Sequence, residues 1–194
     1  MTRGRLEAFS DGVVAILITI MVLELRPPAG VAFADLGPLV PKLLSYLLSF
    51  VYLGIYWNNH HHLLHAVQRV DGRVLWANLH LLFWLSLTPF ATAWMGESGA
   101  APSTVALYAA VQLLAALAYT FLTRALLALH ADDSPLALAL GADWKGRVSV
   151  VAYALAVPLA FASRWLALGV LVAVAVVWGL PDPRIERTLE HRHT

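Results

Sequence analysis

Half of the chain's eight histidines fall within ten residues. In YWNNHHHLLH, Tyr56–His65, the imidazoles of His60, His61, His62 and His65 sit among apolar residues. On a helix His61 and His65, four apart, share a face. That spacing suits a zinc or nickel pair, or one box of a membrane di-iron oxygenase. A di-iron site needs several such boxes turned to one side. Here only His80 adds a second position within an apolar segment, while His130 falls at a segment end and His191 and His193 in the charged C-terminal stretch. Too few converge to hold two metals. The cluster therefore reads as hydrogen-bonding or titrating groups, and no metal or other cofactor is expected.

The second group with chemical potential is Asp11, which follows Ser10 at the head of the apolar run FSDGVVAILITIMVLEL; Thr19 is the hydroxyl in the middle of that run. An acid costs about 2.5–3.5 kcal/mol at the centre of a membrane helix and less near its end. Asp11 or Ser10 can offset this by capping the helix N-terminus, an effect of about 1 kcal/mol. Asp11 can instead bond to other helices, with the histidines of the second segment or Arg147 as candidates. A third use is as a proton or sodium carrier in a secondary transporter. Against that, Asp11 lies near a helix end, Glu24 is interfacial, no other acid sits deep in an apolar segment, and no internal repeat is visible.

The elements that must position these groups are membrane helices. Of the 194 residues, 60% are hydrophobic and 13% charged, too little charge to cover a soluble surface. The mean hydropathy is +0.71. With no cysteine, disulfides and thiolate sites are excluded, and a net charge of +1 gives no case for nucleic acid. About 20 apolar residues cross a hydrocarbon core. Six segments qualify or nearly so: Leu6–Leu25, Leu43–Leu64, Val74–Met95, Ser103–Thr123, Val148–Ser163 and Trp165–Leu180. The last two are short and flank Arg164, which can snorkel to the surface; a single re-entrant hairpin is the alternative there. Residues 1–194 thus read as one all-α membrane domain. No cleavage signature follows Leu25, so the first segment is expected to remain in the protein.

Placing the N-terminus in the cytoplasm puts ten basic residues inside (Arg3, Arg5, Arg69, Arg73, Arg124, Lys145, Arg147, Arg184, Arg187, Arg192) against Arg26, Lys42 and Arg164 outside. Both termini are then cytoplasmic. Trp57, Trp94, Trp165 and Trp178 fall near segment ends, as an aromatic belt would. Pro89 and Pro158 should kink their helices. Ala109, Ala110, Ala115, Ala116, Ala118, Gly169, Ala173 and Ala175 should allow close helix packing.

At about 100° per residue, Ile16, Thr19, Ile20 and Leu23 fall within about 100° of one another, and Gly12 extends the stripe. Asp11 lies about 140° from Ile16 and should look toward other helices. Periodicity alone does not make the stripe a pore wall, because a membrane helix is apolar all round.

Further residues say more. Arg5-Leu-Glu-Ala-Phe9-Ser10-Asp11 resembles the RxxxFSD signature of the potassium-channel family known as transmembrane protein 175. GVVAILITIMVLEL is similar to that family's first helix, YWNNHHHLLH to the end of its second, and ANLHLLFWLSLTPFATAWMG, Ala77–Gly96, to its third. The later segments match in hydropathy only. One six-helix unit resembles the bacterial members, which implies a homotetramer in the bacterial inner membrane. The resemblance implies a central path for monovalent cations, potassium above all, lined by four first helices. Ile16, Ile20 and Leu23 then fall at its apolar constrictions and Thr19 at its selectivity position. Arg5, Phe9, Ser10 and Asp11 would hold the helix through hydrogen bonds, with Trp57, Asn58, His61, Trp76 and His80 as candidate partners. A narrow apolar sleeve can dewet and gate. The chain has no TVGYG-like carbonyl filter and no regular arginine series, so modest selectivity and no voltage sensing are expected.

Overall fold

The computed structural model describes residues 2–67, 69–129 and 144–179. Its regular elements are all helical. They are α1 (Arg3–Leu23), a 3-10 turn (Phe33–Leu39) running into α2 (Val40–His65), α3 (Gly72–Ser86), α4 (Thr88–Glu97), α5 (Pro102–Leu127), α6 (Trp144–Ala162) and α7 (Arg164–Gly179). By length and composition five segments can cross a bilayer: α1, the turn with α2, α3 with α4, α5, and α6; α7, with 16 residues, is shorter. The segment Ala131–Asp143 and the stretch beyond Pro181 lie outside the described residues, as do His130, His191 and His193.

The third span, expected to kink at Pro89, is interrupted at Leu87. Pro89 has no N–H to give the carbonyl four residues back. The Leu87 N–H instead reaches Trp84 O at 3.2 Å, and α4 restarts with the Ala91 N–H on Leu87 O at 3.0 Å. Leu87 itself keeps helical dihedrals (φ −84°, ψ −10°), so the interruption is a bend. Pro158, by contrast, lies inside α6 without dividing it.

α6 and α7 fold back on each other about Ser163, the one residue between them. Near their free ends Trp178 Nε1 donates to Ser149 Oγ at 2.8 Å, and the Lys145 ammonium stands 5.8 Å from the Trp178 ring. At the bend the Arg164 guanidinium covers the exposed Trp165 ring at 5.0 Å, a pair suited to the headgroup level.

α5 is central, packing on α3, α4, α6 and α7. Its Ala109 shares a core with Ala156, Ala160 and Ala167 of the hairpin, small side chains that let backbones approach. Gly169 and Ala173, expected in such contacts, are exposed instead. Polar groups in lipid must be satisfied within the bundle, and here they stitch it together. Ser49 Oγ of α2 bonds Thr92 Oγ1 of α4 at 2.6 Å and the Tyr108 hydroxyl of α5 at 2.9 Å. Tyr52 donates to Leu171 O of α7 at 2.6 Å. α1 sits at one side, packed mainly on α2, α4 and α3.

At Gly96 α4 comes close to α2. A Cβ there would stand 2.9 Å from Lys42 Cα, beside the Lys42–Glu97 ion pair (3.1 Å). Gly96→Leu is expected to cost about 1–3 kcal/mol by overpacking. A thermal unfolding scan in detergent micelles checks this, with a midpoint clearly below that of the parent as the expected result.

Candidate functional site: the two faces of the first helix

α1 turns one narrow stripe to the protein: Leu6, Ser10, Val14, Leu17 and Met21 are all buried. The opposite face has no cover among the described residues. Ile16 is 57% exposed, Ile20 42% and Leu23 75%, and Phe9, Gly12 and Thr19 are exposed with them. An apolar helix has little hydrophobic reason to choose which side faces inward, so polar contacts must fix its rotation.

Four such contacts lie along its N-terminal half. Ser10 Oγ donates to Leu6 O and accepts from Asn78 Nδ2 of α3, both at 2.9 Å. Asn78 Oδ1 in turn accepts from His60 Nε2 of α2 at 2.7 Å, and all three side chains are buried. Trp57 Nε1 donates to Asp11 Oδ1 at 3.0 Å. His61 Nδ1 meets Glu7 Oε1 at 3.0 Å. Arg3 Nη1 donates to the carbonyls of His65 (3.2 Å) and Val67 (3.1 Å), tying the start of α1 to the end of α2. All four contacts reach α2, its outgoing turn or α3, so the Ile16–Leu23 stripe is left pointing away from the protomer.

Thr19 lies on that open face. Its hydroxyl donates backward to its own helix, with Oγ1 at 2.9 Å from Ile16 O and 3.1 Å from Ala15 O. The proton is therefore occupied, while the oxygen lone pairs are presented outward.

Several sequence-derived candidates behave otherwise. The partner of Asp11 is Trp57, not a histidine or Arg147. The Asn58 and Trp76 side chains are exposed and make no hydrogen bond among the described residues. His80 accepts from Trp84 Nε1 of its own helix at 2.9 Å and rests 6.1 Å from the Phe121 ring of α5. Arg5 is exposed with no partner among the described residues, and Phe9 shares its open face. Glu7, Arg3 and Asn78 are the groups that sequence reasoning passed over, while His60, read there as a hydrogen-bonding group, pairs with Asn78. A usable signal existed for Asn78, which recurs with Val74, Leu81, Leu82 and Leu85 on the buried stripe of α3. His61 and His65 stack, centroids 5.6 Å apart, and among the described residues no three His, Asp or Glu side chains group as a metal site.

The profile of the family described as Endosomal/lysosomal potassium channel TMEM175 matches residues 5–89. A potassium channel of Chryseobacterium sp. (strain P1-3) is 49% identical over 190 residues, 98% of this chain and 99% of that protein. The chain belongs to the TMEM175 family. Another relative, a potassium channel of Chamaesiphon minutus, is 32% identical over 91% of this chain and 93% of its own length. The fold matches the crystal structure of a lysosomal potassium-selective channel TMEM175 homolog from the same organism, with a TM-score of 0.78 and 30% identity over 91% of this chain and 96% of that one. TMEM175 proteins are ion channels and not enzymes, which ends the histidine-box reading. The matched stretch 5–89 takes in α1, α2 and α3, the helices that carry the Ser10–Asn78–His60 chain.

Asn78→Leu strips Ser10 and His60 of a shared partner in a buried site. The expected loss is about 1–3 kcal/mol, the cost of leaving buried polar groups unmet. Thermal unfolding in micelles reads it directly, and an unchanged midpoint would contradict the assignment.

Proposed function

We propose that four copies of this chain assemble about an axis with α1 innermost, forming a modestly selective potassium channel. In this reading it resides in the bacterial inner membrane with both termini cytoplasmic, an orientation supported by the excess of basic residues on that side. The observation that carries the proposal is the uncovered face of α1, where Ile16, Ile20 and Leu23 project beside Thr19. The names of the Chryseobacterium and Chamaesiphon relatives support potassium as the ion.

Along a helix Ile16, Ile20 and Leu23 occupy levels separated by about 6 and 4.5 Å. Four side chains at each level form a short apolar sleeve. Such a sleeve passes an ion only when wetted, so its width acts as the gate. Shedding hydration water is easier for potassium than for sodium, which holds its shell more strongly. The outward lone pairs of four Thr19 hydroxyls replace part of the shell that is lost. With no ring of backbone carbonyls contributing, discrimination is real but limited.

The transporter reading requires Asp11 to take up and release its cargo ion or proton. Asp11 instead accepts from Trp57 on the side of α1 away from the stripe. A resolved unitary current step is beyond what a carrier produces and distinguishes the two.

Two variants test the sleeve. Ile16→Asn or Leu23→Asn wets it and is expected to raise unitary conductance and admit sodium, read as flux into liposomes under potassium or sodium gradients. Thr19→Val keeps the shape and removes the lone pairs. It is expected to lower the potassium-to-sodium permeability ratio, read as a shift of the bi-ionic reversal potential toward zero. Unchanged sodium permeability in both kinds of variant contradicts the proposal.

A further inference from the structure

Arg5 opens the RxxxFSD motif, yet it anchors nothing within its own protomer. Its side chain is exposed and has neither hydrogen bond nor ion pair among the described residues. Arg3 performs the anchoring, through the carbonyls of His65 and Val67. On the helix Arg5 lies about 20° from Ile16, on the same open face as Phe9 and Gly12. We propose that four Arg5 guanidiniums ring the N-terminal mouth of the path and make conduction asymmetric, so that potassium entering from the Leu23 end passes more readily than potassium entering from the Arg5 end. This rests on the tetrameric reading above.

Arg5 is the charged side chain of α1 nearest the stripe. Glu7 faces His61 and Asp11 faces Trp57, both turned toward α2 and away from the stripe. The backbone adds to the same field. The first turn of α1 holds no acidic residue, and Thr2 at its N-cap makes no side-chain hydrogen bond. The partial positive charge of a helix N-terminus is thus uncompensated. Four parallel α1 helices bring four such ends to one mouth. At the other end no basic residue lies in the last turn, Leu23 ends the stripe, and the exposed Glu24 and Arg26, of opposite charge, follow it. Side chains and helix ends both make the Arg5 mouth positive, while Glu24 and Arg26 offset each other beyond Leu23. Local potassium is depleted at the Arg5 mouth relative to the Leu23 mouth.

The ring acts through space, so salt weakens it: the screening length is about 10 Å at 0.1 M and about 3 Å at 1 M. The test is single-channel recording in planar bilayers with equal potassium chloride on both sides. The parent channel should rectify at about 0.1 M and become nearly ohmic at about 1 M. Arg5→Gln should raise the smaller limb about two-fold at 0.1 M and leave it nearly unchanged at 1 M. Arg5→Lys, which keeps the charge, should behave as the parent. Thr2→Asp, which supplies an acid and a cap without touching Arg5, should raise the same limb and serves if Arg5→Gln does not assemble. Equal limbs in the parent at 0.1 M, an Arg5→Lys channel like Arg5→Gln, or a Thr2→Asp channel with unaltered limb ratio would overturn the inference. A parent with no unitary current at all fails the channel reading instead.

Discussion

Ser10 gives its hydroxyl proton to Leu6 O and takes one from Asn78, which in turn holds His60. This chain of three buried side chains crosses from α1 to α3 to α2, and it decides what the rest of α1 can do. Hydrophobicity cannot set the rotation of a helix that is apolar on every side, and lipid competes evenly with protein for its surface. Hydrogen bonds can, because a polar group left unmet in a membrane interior is costly. With Ser10 turned inward, Leu6, Val14, Leu17 and Met21 follow it into the core, and Ile16, Ile20 and Leu23 have nowhere to go but out. The Glu7–His61, Asp11–Trp57 and Arg3–carbonyl contacts act on the same end of the helix in the same sense.

The consequence is a division of labour along one helix. Its first half carries the polar residues and is held; its second half carries the apolar stripe and is presented. The bundle behind it, with α5 at the centre and the Ser49–Thr92–Tyr108 bonds across it, supplies a stiff wall. Thr19 shows the same economy. By donating to its own backbone it avoids an unmet proton on the open face. Proline at 89 bends the third span where α4 closes on α2 through Gly96, so that α4 as well as α3 can rest against α1.

Much of this was legible in the residues. The apolar runs located the helices to within a few residues, because span length is set by bilayer thickness and charges mark the ends. The wheel separated Asp11 from the Ile16 stripe, because helix geometry alone fixes that angle. What was not legible is which polar side chain meets which. Histidines 60 and 61 are neighbours in sequence, yet one is buried against Asn78 and the other faces Glu7 at the end of α1. The 100° step between them separates the roles, and only the placement of α3 and α1 shows which is which. Asn58, Trp76 and His80 looked equally suited to join helices, but their faces of α2 and α3 are open or point to a neighbour on the same helix. Arg5 looked like the anchor because the motif names it; Arg3 reaches the carbonyls because it starts the helix beside the end of α2. The break at Leu87 followed from Pro89, which has no N–H to give the carbonyl four residues back.

The central claim, that the uncovered face of α1 lines the path of the ion, can be tested without disturbing any native thiol, since the chain has no cysteine. Single cysteines placed along α1 and exposed to silver ion during recording report which side chains the conducting path touches. Irreversible block is predicted at Ile16→Cys, Thr19→Cys, Ile20→Cys and Leu23→Cys, and none at Leu17→Cys or Met21→Cys. Block that ignores this periodicity, or that falls on the buried positions alone, would contradict the account.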